Sequence, residues 1–242
     1  MKPIRLDKFL ADSGVGSRSQ VKSLLRKGAV CVNGKPAQKP EMKVDPETDE
    51  ITCREILLSH SEFYYYMLNK PAGYVSATDD NTAPTVLSLL KNVPGRELFP
   101  VGRLDKDTEG LLLITNDGPL AHRLLSPKNH VDKTYLVHAL GLITADDLIR
   151  LESGIDIGEK APTLPAGAKL LSVKTNNGRA VSLVELTIHE GKFHQVKRMF
   201  QAIGKPVLSL KRLSMGTLLL DETLAPGEFR MLTDEELANL RA

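Results

Sequence analysis

The chain has 242 residues, of which 26% are charged and 41% hydrophobic, as in an ordinary globular protein. Its apolar runs are far shorter than a membrane span and its first residues lack the apolar region of a secretion signal, so we expect a cytoplasmic protein without a membrane partner. Cys31 and Cys53 form no CxxC pair and the six histidines lack metal-ligand spacing, which argues against a disulfide and a metal site.

The formal net charge of +2 conceals an uneven distribution along the chain. Residues 1–43 contain ten Lys or Arg and three Asp or Glu, whereas residues 44–62 contain one Arg and six acidic residues. The remaining charges cancel. A basic head on a neutral body indicates a module that binds a polyanion, and nucleic acid is the first candidate.

Two short helices and a hairpin are predicted in the basic head. The apolar residues with the i, i+3, i+4 spacing of a first helix are Leu6, Phe9 and Leu10. Ser17 and Gln20 then fit a capping box that begins a second helix, which Gly28 can end. After a short apolar run, Asn33-Gly34 is the strongest short-range signal for a tight hairpin.

Three basic residues recur every four positions on the second predicted helix, opposite its apolar face: Arg18, Lys22 and Arg26. Residues at this spacing line up along one side of a helix. The resulting ridge is compatible with a simple solvated face. The lysines around the hairpin nevertheless favour contact with phosphate groups.

The basic head resembles the S4 RNA-binding domain in the segments 5–10, 17–18 and 28–34. We place this domain at residues 1–58. The resemblance implies RNA binding and not catalysis. The residues expected to contact RNA are Arg5, Lys8, Ser17, Arg18, Lys22, Arg26, Lys27, Asn33 and Lys35.

A second domain is expected at residues 63–242, after an acidic turn at 45–50 and a linker near residues 55–62. Strands are predicted at 63–68, 111–115, 133–137, 181–189 and 207–210. Helices are predicted at 86–90, 119–125, 144–151 and 194–203, and after a capping box that begins at Thr233. Residues 69–73 are predicted as a loop, and 155–178 as loop-rich with weak strands. Because strands and helices do not alternate regularly, we expect an α+β fold with a mixed, largely antiparallel sheet flanked by helices.

The stretch 101–110, VGRLDKDTEG, lies directly before the apolar strand predicted at 111–115. It places five charged residues between two glycines: Arg103, Asp105, Lys106, Asp107 and Glu109. Charges beside a buried strand must face solvent or be paired, because burying a lone charge is very costly. The stretch is therefore either a polar site on a rigid scaffold or a charged, solvated loop.

Four motifs of the second domain resemble the pseudouridine synthases: 69–71, 102–110, 133–135 and 194–199. The resemblance is closest to the RsuA branch, which joins an S4 domain to this catalytic domain, and it covers nearly the whole chain. It implies an isomerase that converts a uridine of RNA to pseudouridine, with no cofactor and no metal.

The resemblance also implies roles by motif position. Asp105 is the expected catalytic aspartate, which either forms a covalent adduct or steers an elimination. Lys197 is its expected ion-pair partner, since a buried carboxyl without a cation tends to be protonated. Tyr135 is the expected active-site tyrosine, whose ring can stack on uracil and whose hydroxyl is a candidate base for the C5 proton. Val196 is the expected apolar neighbour.

A uridine inside a duplex must be extruded before its atoms can react. Further residues expected to contact the RNA are Arg103, Lys70 and Arg198. We interpret Asp107 as a loop residue that bonds Thr108 or the backbone. His194 and Gln195 are expected to orient the start of the helix that carries Lys197.

Two other functions stay open at this point. A metal-dependent hydrolase could use Asp105, Asp107 and Asp117 as oxygen ligands, although the turn 116–118 already explains Asp117. A non-catalytic RNA-binding or ribosome-assembly factor could use the basic head alone. Within the resemblance, small-subunit (16S) ribosomal RNA is favoured over large-subunit RNA, as naked RNA or in an assembly particle. We expect a monomer, because no exposed apolar seam is evident.

Overall fold

The computed structural model describes residues 3–58, 61–91, 93–176 and 178–242. The chain divides into two units, Met1–Tyr64 with Leu90–Leu98, and Tyr65–Leu89 with Phe99–Ala242. Leu90–Leu98 therefore groups with the first unit, although it lies within the sequence range expected for the second domain. The domain boundaries 1–58 and 63–242 stay a prediction. Every helix within the described ranges is too short or too polar to span a membrane.

Among its described residues, the first unit contains two helices and six short strands. The helices are α1 (Leu6–Asp12) and α2 (Arg18–Arg26). The strands are β1 (Ile4–Arg5), β2 (Val30–Val32), β3 (Lys35–Pro36), β4 (Lys43–Val44), β5 (Ile51–Cys53) and β6 (Ile56–Leu57). A four-stranded sheet has the order β3-β2-β5-β6, and β1 pairs with β4.

The predicted signals of the basic head produce this unit. Its core includes Leu6, Phe9, Leu10, Val21, Leu25, Val30 and Ile51. The capping box of Ser17 and Gln20 is formed at the start of α2. Asn33 and Gly34 have positive φ angles of 50° and 74°, which suits a two-residue hairpin between β2 and β3.

The linker predicted near residues 55–62 is partly wrong. Ile56–Leu57 forms β6 and pairs with β5, so the sheet of the first unit continues into that range, and residues 59 and 60 lie outside the described residues. Both β6 residues are exposed, so the sequence carries no alternation that would have marked a strand. Cys31 and Cys53 lie on β2 and β5, and both are free thiols.

The second unit contains nine strands and four α-helices within the described residues. The strands are β7 (Tyr65–Lys70), β8 (Phe99–Pro100), β9 (Glu109–Thr115), β10 (Lys133–Leu140), β11 (Gly167–Asn176), β12 (Arg179–Ile188), β13 (Val207–Met215), β14 (Leu218–Leu219) and β15 (Phe229–Met231). The helices are α3 (Gly118–Leu125), α4 (Ala145–Glu152), α5 (Gln195–Ala202) and α6 (Asp234–Arg241), with 3-10 turns at Val86–Leu89 and Pro127–Asn129.

The strands of the second unit form one sheet with the order β11-β12-β10-β13-β9-β7-β15, to which β8 and β14 add at β9 and β13. The described ladders are antiparallel apart from β13 with β9. The predicted α+β fold with a mixed, largely antiparallel sheet is confirmed. Arg212 on β13 pairs with Tyr135 on β10 and with Gly110 on β9, so these three residues lie side by side across three neighbouring strands.

One local prediction for this unit is wrong and another is incomplete. Asn69 and Lys70 were predicted as loop but end β7, a strand buried along its whole length. Residues 155–178, predicted as loop-rich with weak strands, contain the ten-residue strand β11 at 167–176. It lies at the edge of the sheet with mostly exposed side chains, so its sequence lacks the apolar alternation of a half-buried strand.

Candidate active site

The charged stretch forms a loop that is fixed in place before β9 begins. The Ser76 hydroxyl donates to Leu104 O (2.9 Å) and accepts from Leu104 N (3.0 Å). Gly73 N donates to Lys106 O at 2.7 Å. These bonds hold the backbone on both sides of Asp105, as a group that must be positioned accurately requires.

Lys70 holds the same loop from the end of β7. Its side chain is fully buried, and its Nζ donates at 2.7–3.3 Å to the carbonyl oxygens of Pro71, Asp105, Lys106 and Thr108. Burial lowers the pKa of Lys70 to about 8 from its ordinary 10.5. The prediction that Lys70 contacts RNA is wrong, because its ammonium has no exposed surface and its donors serve the loop backbone.

Gly110 allows β9 to approach β13 directly after the loop. A Cβ at Gly110 would lie 2.3 Å from the carbonyl oxygen and 2.8 Å from the nitrogen of Arg212. The φ angle of Gly110 is +99°, a conformation that other residues rarely adopt. A glycine is therefore required where the loop joins the sheet.

The Asp105 carboxylate forms an ion pair with Lys197 on α5. Lys197 Nζ lies 2.9 Å from Asp105 Oδ2 and 2.5 Å from Asp107 Oδ1. The side chains of Asp105 and Lys197 are 25% and 26% exposed, whereas that of Asp107 is 73% exposed. The predicted bond from the Asp107 carboxylate to the backbone is present, and Asp107 also bonds to Lys197, so two carboxylates share one ammonium.

This pairing favours the charged form of Lys197. Burial disfavours the ammonium, but hydrogen bonds to Asp107 and Asp105 outweigh burial and raise the pKa of Lys197. The same bond from Lys197 lowers the pKa of the Asp107 carboxyl. Lys197 therefore stays an ammonium at neutral pH, the form in which it can stabilise an ionised Asp105.

The start of α5 is organised by the two residues before Val196. His194 precedes the helix with φ +48°, and its Nε2 is 3.4 Å from Asp105 Oδ1. Gln195 is buried, and its amide donates to Glu190 Oε1 (3.0 Å) and accepts from Lys192 N (2.9 Å). These contacts fix the first turn of the helix from which Lys197 projects.

Asp105, Lys197, Tyr135 and Val196 line one small cavity between the loop, α5 and β10. Tyr135 and Val196 are both buried, with 7% and 4% of their surface exposed. A larger cavity of about 570 Å³ also contains Asp105 and Tyr135, and small-molecule sites commonly measure about 300–1,000 Å³. The structure thus brings together four residues that the sequence separates by up to 92 positions.

The two arginines predicted beside this site differ in their surroundings. Arg103 is exposed and lines both cavities. Arg198 lines neither of the two. Its guanidinium donates to Glu159 Oε1 (2.6 Å), to Phe193 O (3.1 Å) and to Ile157 O. These bonds make Arg198 a brace for the loop before α5, with 29% of its side chain exposed, and its contact with RNA stays a prediction.

All the RNA-contact candidates of the first unit are exposed: Arg5, Lys8, Ser17, Arg18, Lys22, Arg26, Lys27, Asn33 and Lys35. Arg5 is also bonded to Asp7 through Nε (3.0 Å) and Nη2 (2.9 Å). The Asn33 amide donates to Asp49 (2.8 Å) and accepts from Glu50 N (2.8 Å), so it stabilises the hairpin. The contact of these residues with RNA stays a prediction.

The larger cavity also contains residues that were not predicted as site residues, among them Lys133, Phe193 and Arg212. Phe193 is 73% exposed and stacks on His194, with ring centroids 3.8 Å apart. A signal existed for Arg212, because strict alternation along β13 places it on the buried face with Leu210 and Ser214. Exposure of Phe193 could not be read from its sequence context.

The metal-hydrolase alternative required Asp117 as a ligand. Asp117 instead caps α3 by accepting from Leu120 N (3.0 Å), and it accepts from the Tyr65 hydroxyl (2.7 Å). Across the described ranges, no group of three or more His, Cys, Asp or Glu is placed to hold a metal ion. The ligand set proposed from the sequence is therefore not assembled.

Comparison with known families gives two matches along the chain. The family described as RNA pseudouridylate synthase matches residues 64–202, and the S4 domain family matches residues 4–51. Together they cover the two parts of the sequence that the motifs had distinguished.

Individual relatives match over nearly the full length. A Bacillus subtilis protein described as an uncharacterized RNA pseudouridine synthase, YtzG, is 53% identical, with 97% of each chain covered. The ribosomal large subunit pseudouridine synthase B of the same organism is 43% identical, with 98% of this chain and 96% of that one covered. The ribosomal small subunit pseudouridine synthase A of Vibrio cholerae is also 43% identical, with 98% and 99% covered.

A solved structure of a pseudouridylate synthase has the same architecture. It aligns with a TM-score of 0.65 at 40% sequence identity and covers 98% of this chain and 99% of that chain.

Proposed function

The chain belongs to the RsuA family of RNA pseudouridine synthases, and from this membership we propose that it converts one uridine of small-subunit (16S) ribosomal RNA to pseudouridine. The observation that carries the proposal is the Asp105 carboxylate, held 2.9 Å from the Lys197 ammonium in a cavity that Tyr135 also lines. The reaction is an isomerisation, so we expect no cofactor and no metal to take part.

Asp105 is proposed as the catalytic carboxylate. The bond between N1 of uracil and C1′ of the ribose breaks, the base turns, and C5 bonds to C1′ while the C5 proton leaves and N1 gains a proton. An ionised carboxylate beside C1′ serves either as the nucleophile of a covalent adduct or as the base of an elimination. Lys197 supports both routes by placing its ammonium 2.9 Å from Asp105 Oδ2, where it compensates the negative charge of the carboxylate.

Tyr135 is proposed to contact the uracil. Its ring is fixed on β10 at the wall of the cavity, where an aromatic face can stack on a base. Its hydroxyl is a candidate acceptor for the C5 proton. Val196 supplies the apolar wall next to Lys197.

The uridine must leave its stack to reach this cavity, at a cost of about a few kcal/mol. Arg103 is exposed at the cavity beside Asp105 and is proposed to hold flanking phosphates. Phe193, stacked on His194 and largely exposed, offers a face on which a neighbouring base can stack.

The first unit is proposed to bind the same RNA through the ridge Arg18, Lys22 and Arg26. The ridge is exposed on α2, opposite Val21 and Leu25 in the core. Phosphate contacts of this kind give affinity without sequence specificity. We propose that ribosomal RNA, naked or in an assembly particle, is the partner of a monomeric enzyme that acts in the cytoplasm during ribosome biogenesis.

Asp105→Asn tests the catalytic proposal, with Asp107→Asn as the matched control. The first variant removes the charge of the half-buried Asp105 carboxylate, and we expect pseudouridine formation to fall below detection while RNA binding is retained. The second alters the exposed partner of the same ammonium, so we expect activity to stay within about tenfold of wild type. Product formed by Asp105→Asn would remove Asp105 from the mechanism and would favour a non-catalytic RNA-binding role for the site.

Mapping of pseudouridines in both ribosomal RNAs, from cells with and without this protein, identifies the target. We expect one position in 16S RNA to lose its modification, and complementation with Asp105→Asn not to restore it. Loss of a position in large-subunit RNA instead would correct the choice of subunit and leave the reaction unchanged.

A further inference from the structure

The larger cavity contains more positive than negative charge. Five Lys or Arg side chains line it against two carboxylates, those of Asp105 and Glu190. Asp105 is already paired with Lys197, and Glu190 lies 3.7 Å from Lys192 Nζ and accepts from Gln195. The remaining cations of the cavity therefore lack a matching carboxylate on its wall.

Arg212 is the most buried of these cations. Only 2% of its surface is exposed, its Nε donates to Leu111 O at 2.8 Å, and its Nη2 has no hydrogen-bond partner among the described residues. Within the described ranges, no ion pair joins the Arg212 guanidinium to a carboxylate. A buried charge without an ionic partner costs several kcal/mol. The burial of Arg212 therefore indicates that its partner is a ligand rather than a residue of the protein.

A second buried cation lies in the same cavity. Lys133 is 9% exposed, and its Nζ donates to Val131 O at 2.7 Å. Burial and the charge of Arg212 both lower the pKa of Lys133. Two cations that destabilise each other in one pocket are expected where an anion binds between them.

The position of Arg212 relates this pair to the reacting groups. Arg212 lies directly opposite Tyr135 on the neighbouring antiparallel strand, and directly opposed residues project from the same face of a sheet. Lys133 lies two residues before Tyr135 on β10 and shares that face. Both cations therefore flank the tyrosine that is proposed to contact the uracil.

We propose that Arg212, with Lys133, binds a phosphate group of the extruded nucleotide, so that the cavity recognises a nucleotide and not only its base. The guanidinium fork suits phosphate oxygens, to which it can donate two parallel hydrogen bonds. This inference rests on the proposed function, because it takes the ligand to be the flipped uridine of an RNA. It assigns Arg212 to substrate binding, separately from the Asp105–Lys197 pair.

The test measures binding of 5′-UMP, 3′-UMP and uridine by NMR titration to the full-length protein. For wild type, we expect one of the two nucleotides to bind at least about tenfold more tightly than uridine, as one charge-assisted contact would give. The better of the two identifies which phosphate is held. Equal binding of all three by wild type would overturn the proposal.

Arg212→Met keeps the length and apolar stem of the side chain but removes its charge. We expect the ratio of nucleotide to uridine affinity to fall below about threefold, with the affinity for uridine unchanged. Lys174→Met, which removes an exposed lysine of β11, is the control and should keep the wild-type ratio. An unchanged ratio in Arg212→Met would overturn the proposal.

Two additional variants keep the test valid if Arg212→Met does not fold, which its melting curve reports. Arg212→Lys retains the charge without the fork and should give an intermediate ratio, and Lys133→Met should lower the ratio. Wild-type ratios in both would contradict the proposal. Pseudouridine formation in ribosomal RNA is measured in parallel. If no pseudouridine forms but the ratio of nucleotide to uridine affinity depends on Arg212, the proposed function is refuted and the phosphate site is not. If pseudouridine forms but that affinity ratio does not depend on Arg212, the phosphate site is refuted and the proposed function is not.

Discussion

Lys70→Met tests whether Lys70 supports the loop that carries Asp105, separately from any contact with substrate. Lys70 is fully buried, and its ammonium donates to four carbonyl oxygens of the loop and the chain beside it. Three N–H groups at about 1.5 kcal/mol each, the low end for bonds to a charged group, amount to about 4.5 kcal/mol. The cost of burying the ammonium, seen in its pKa of about 8, offsets part of this. We expect a net loss of about 2–3 kcal/mol.

The assay is thermal unfolding together with pseudouridine formation. A loss of this size in a protein of this length lowers the melting temperature by about 4–12 °C. Misplacement of Asp105 by about 1 Å reduces kcat by about 100-fold. Lys106→Met, which replaces an exposed lysine of the same loop, is the control and should change stability by less than about 0.5 kcal/mol. If Lys70→Met matches that control in both measurements, the loop does not depend on Lys70.

Because the pKa of Lys70 is lowered, the difference in stability between wild type and Lys70→Met should depend on pH. In the folded protein Lys70 loses its proton near pH 8, whereas in the unfolded chain it keeps the proton until about the ordinary 10.5. Between these values the unfolded state binds more protons, so the free energy of unfolding rises with pH. The stability of wild type relative to Lys70→Met should therefore increase from pH 8 towards 10.5. A difference that is flat over this range would contradict the burial of a charged Lys70.

Three further predictions concern other parts of the molecule. Gly110→Ala should lower the free energy of unfolding by about 2–5 kcal/mol, because its Cβ would lie 2.3 Å from Arg212 O. Gly73→Ala, with φ +93° and nothing within 4 Å of its Cβ, should lower it by only about 1–2 kcal/mol through backbone strain. Equal losses of the two variants in urea unfolding would exclude the clash. Lys22→Gln should reduce the slope of log affinity against log salt by about one unit in RNA-binding titrations, and an unchanged slope would mean that the ridge faces only solvent. Phe193→Ala should weaken RNA binding by about 1–3 kcal/mol while Phe193→Tyr retains it, and equal affinities of both variants would rule out stacking.

Much of the fold could be predicted because its determinants are local. The capping boxes at Ser17, Thr144 and Thr233 are all formed, and each requires only residues within three positions of one another. The hairpin at Asn33 is equally local. The strands β6 and β11 were missed or underestimated, because their side chains are exposed and their stability comes from pairing with a neighbouring strand rather than from an apolar pattern.

The site could be predicted only where a motif fixes a residue's role. Motif position indicated Asp105, Tyr135 and Lys197, and the structure places them on one cavity. It did not indicate which lysine faces substrate, because a lysine in a strand and a lysine in a loop look alike in sequence. The burial of Lys70 depends on β7 continuing through it beside β9, a pairing between segments about forty residues apart.

The two lysines at Asp105 show why one loop needs both. Lys197 meets carboxylate side chains, so its pKa is raised and its charge contributes to the electrostatics of the site. Lys70 meets backbone carbonyls, whose partial charges do not compensate its burial, so its pKa is lowered and its contribution is the position of the loop. Removal of Lys197 should therefore remove the positive charge beside Asp105 without moving its carboxylate, whereas removal of Lys70 should move Asp105 without changing its partner. A reaction that depends on an ionised carboxylate held beside C1′ requires both conditions at once.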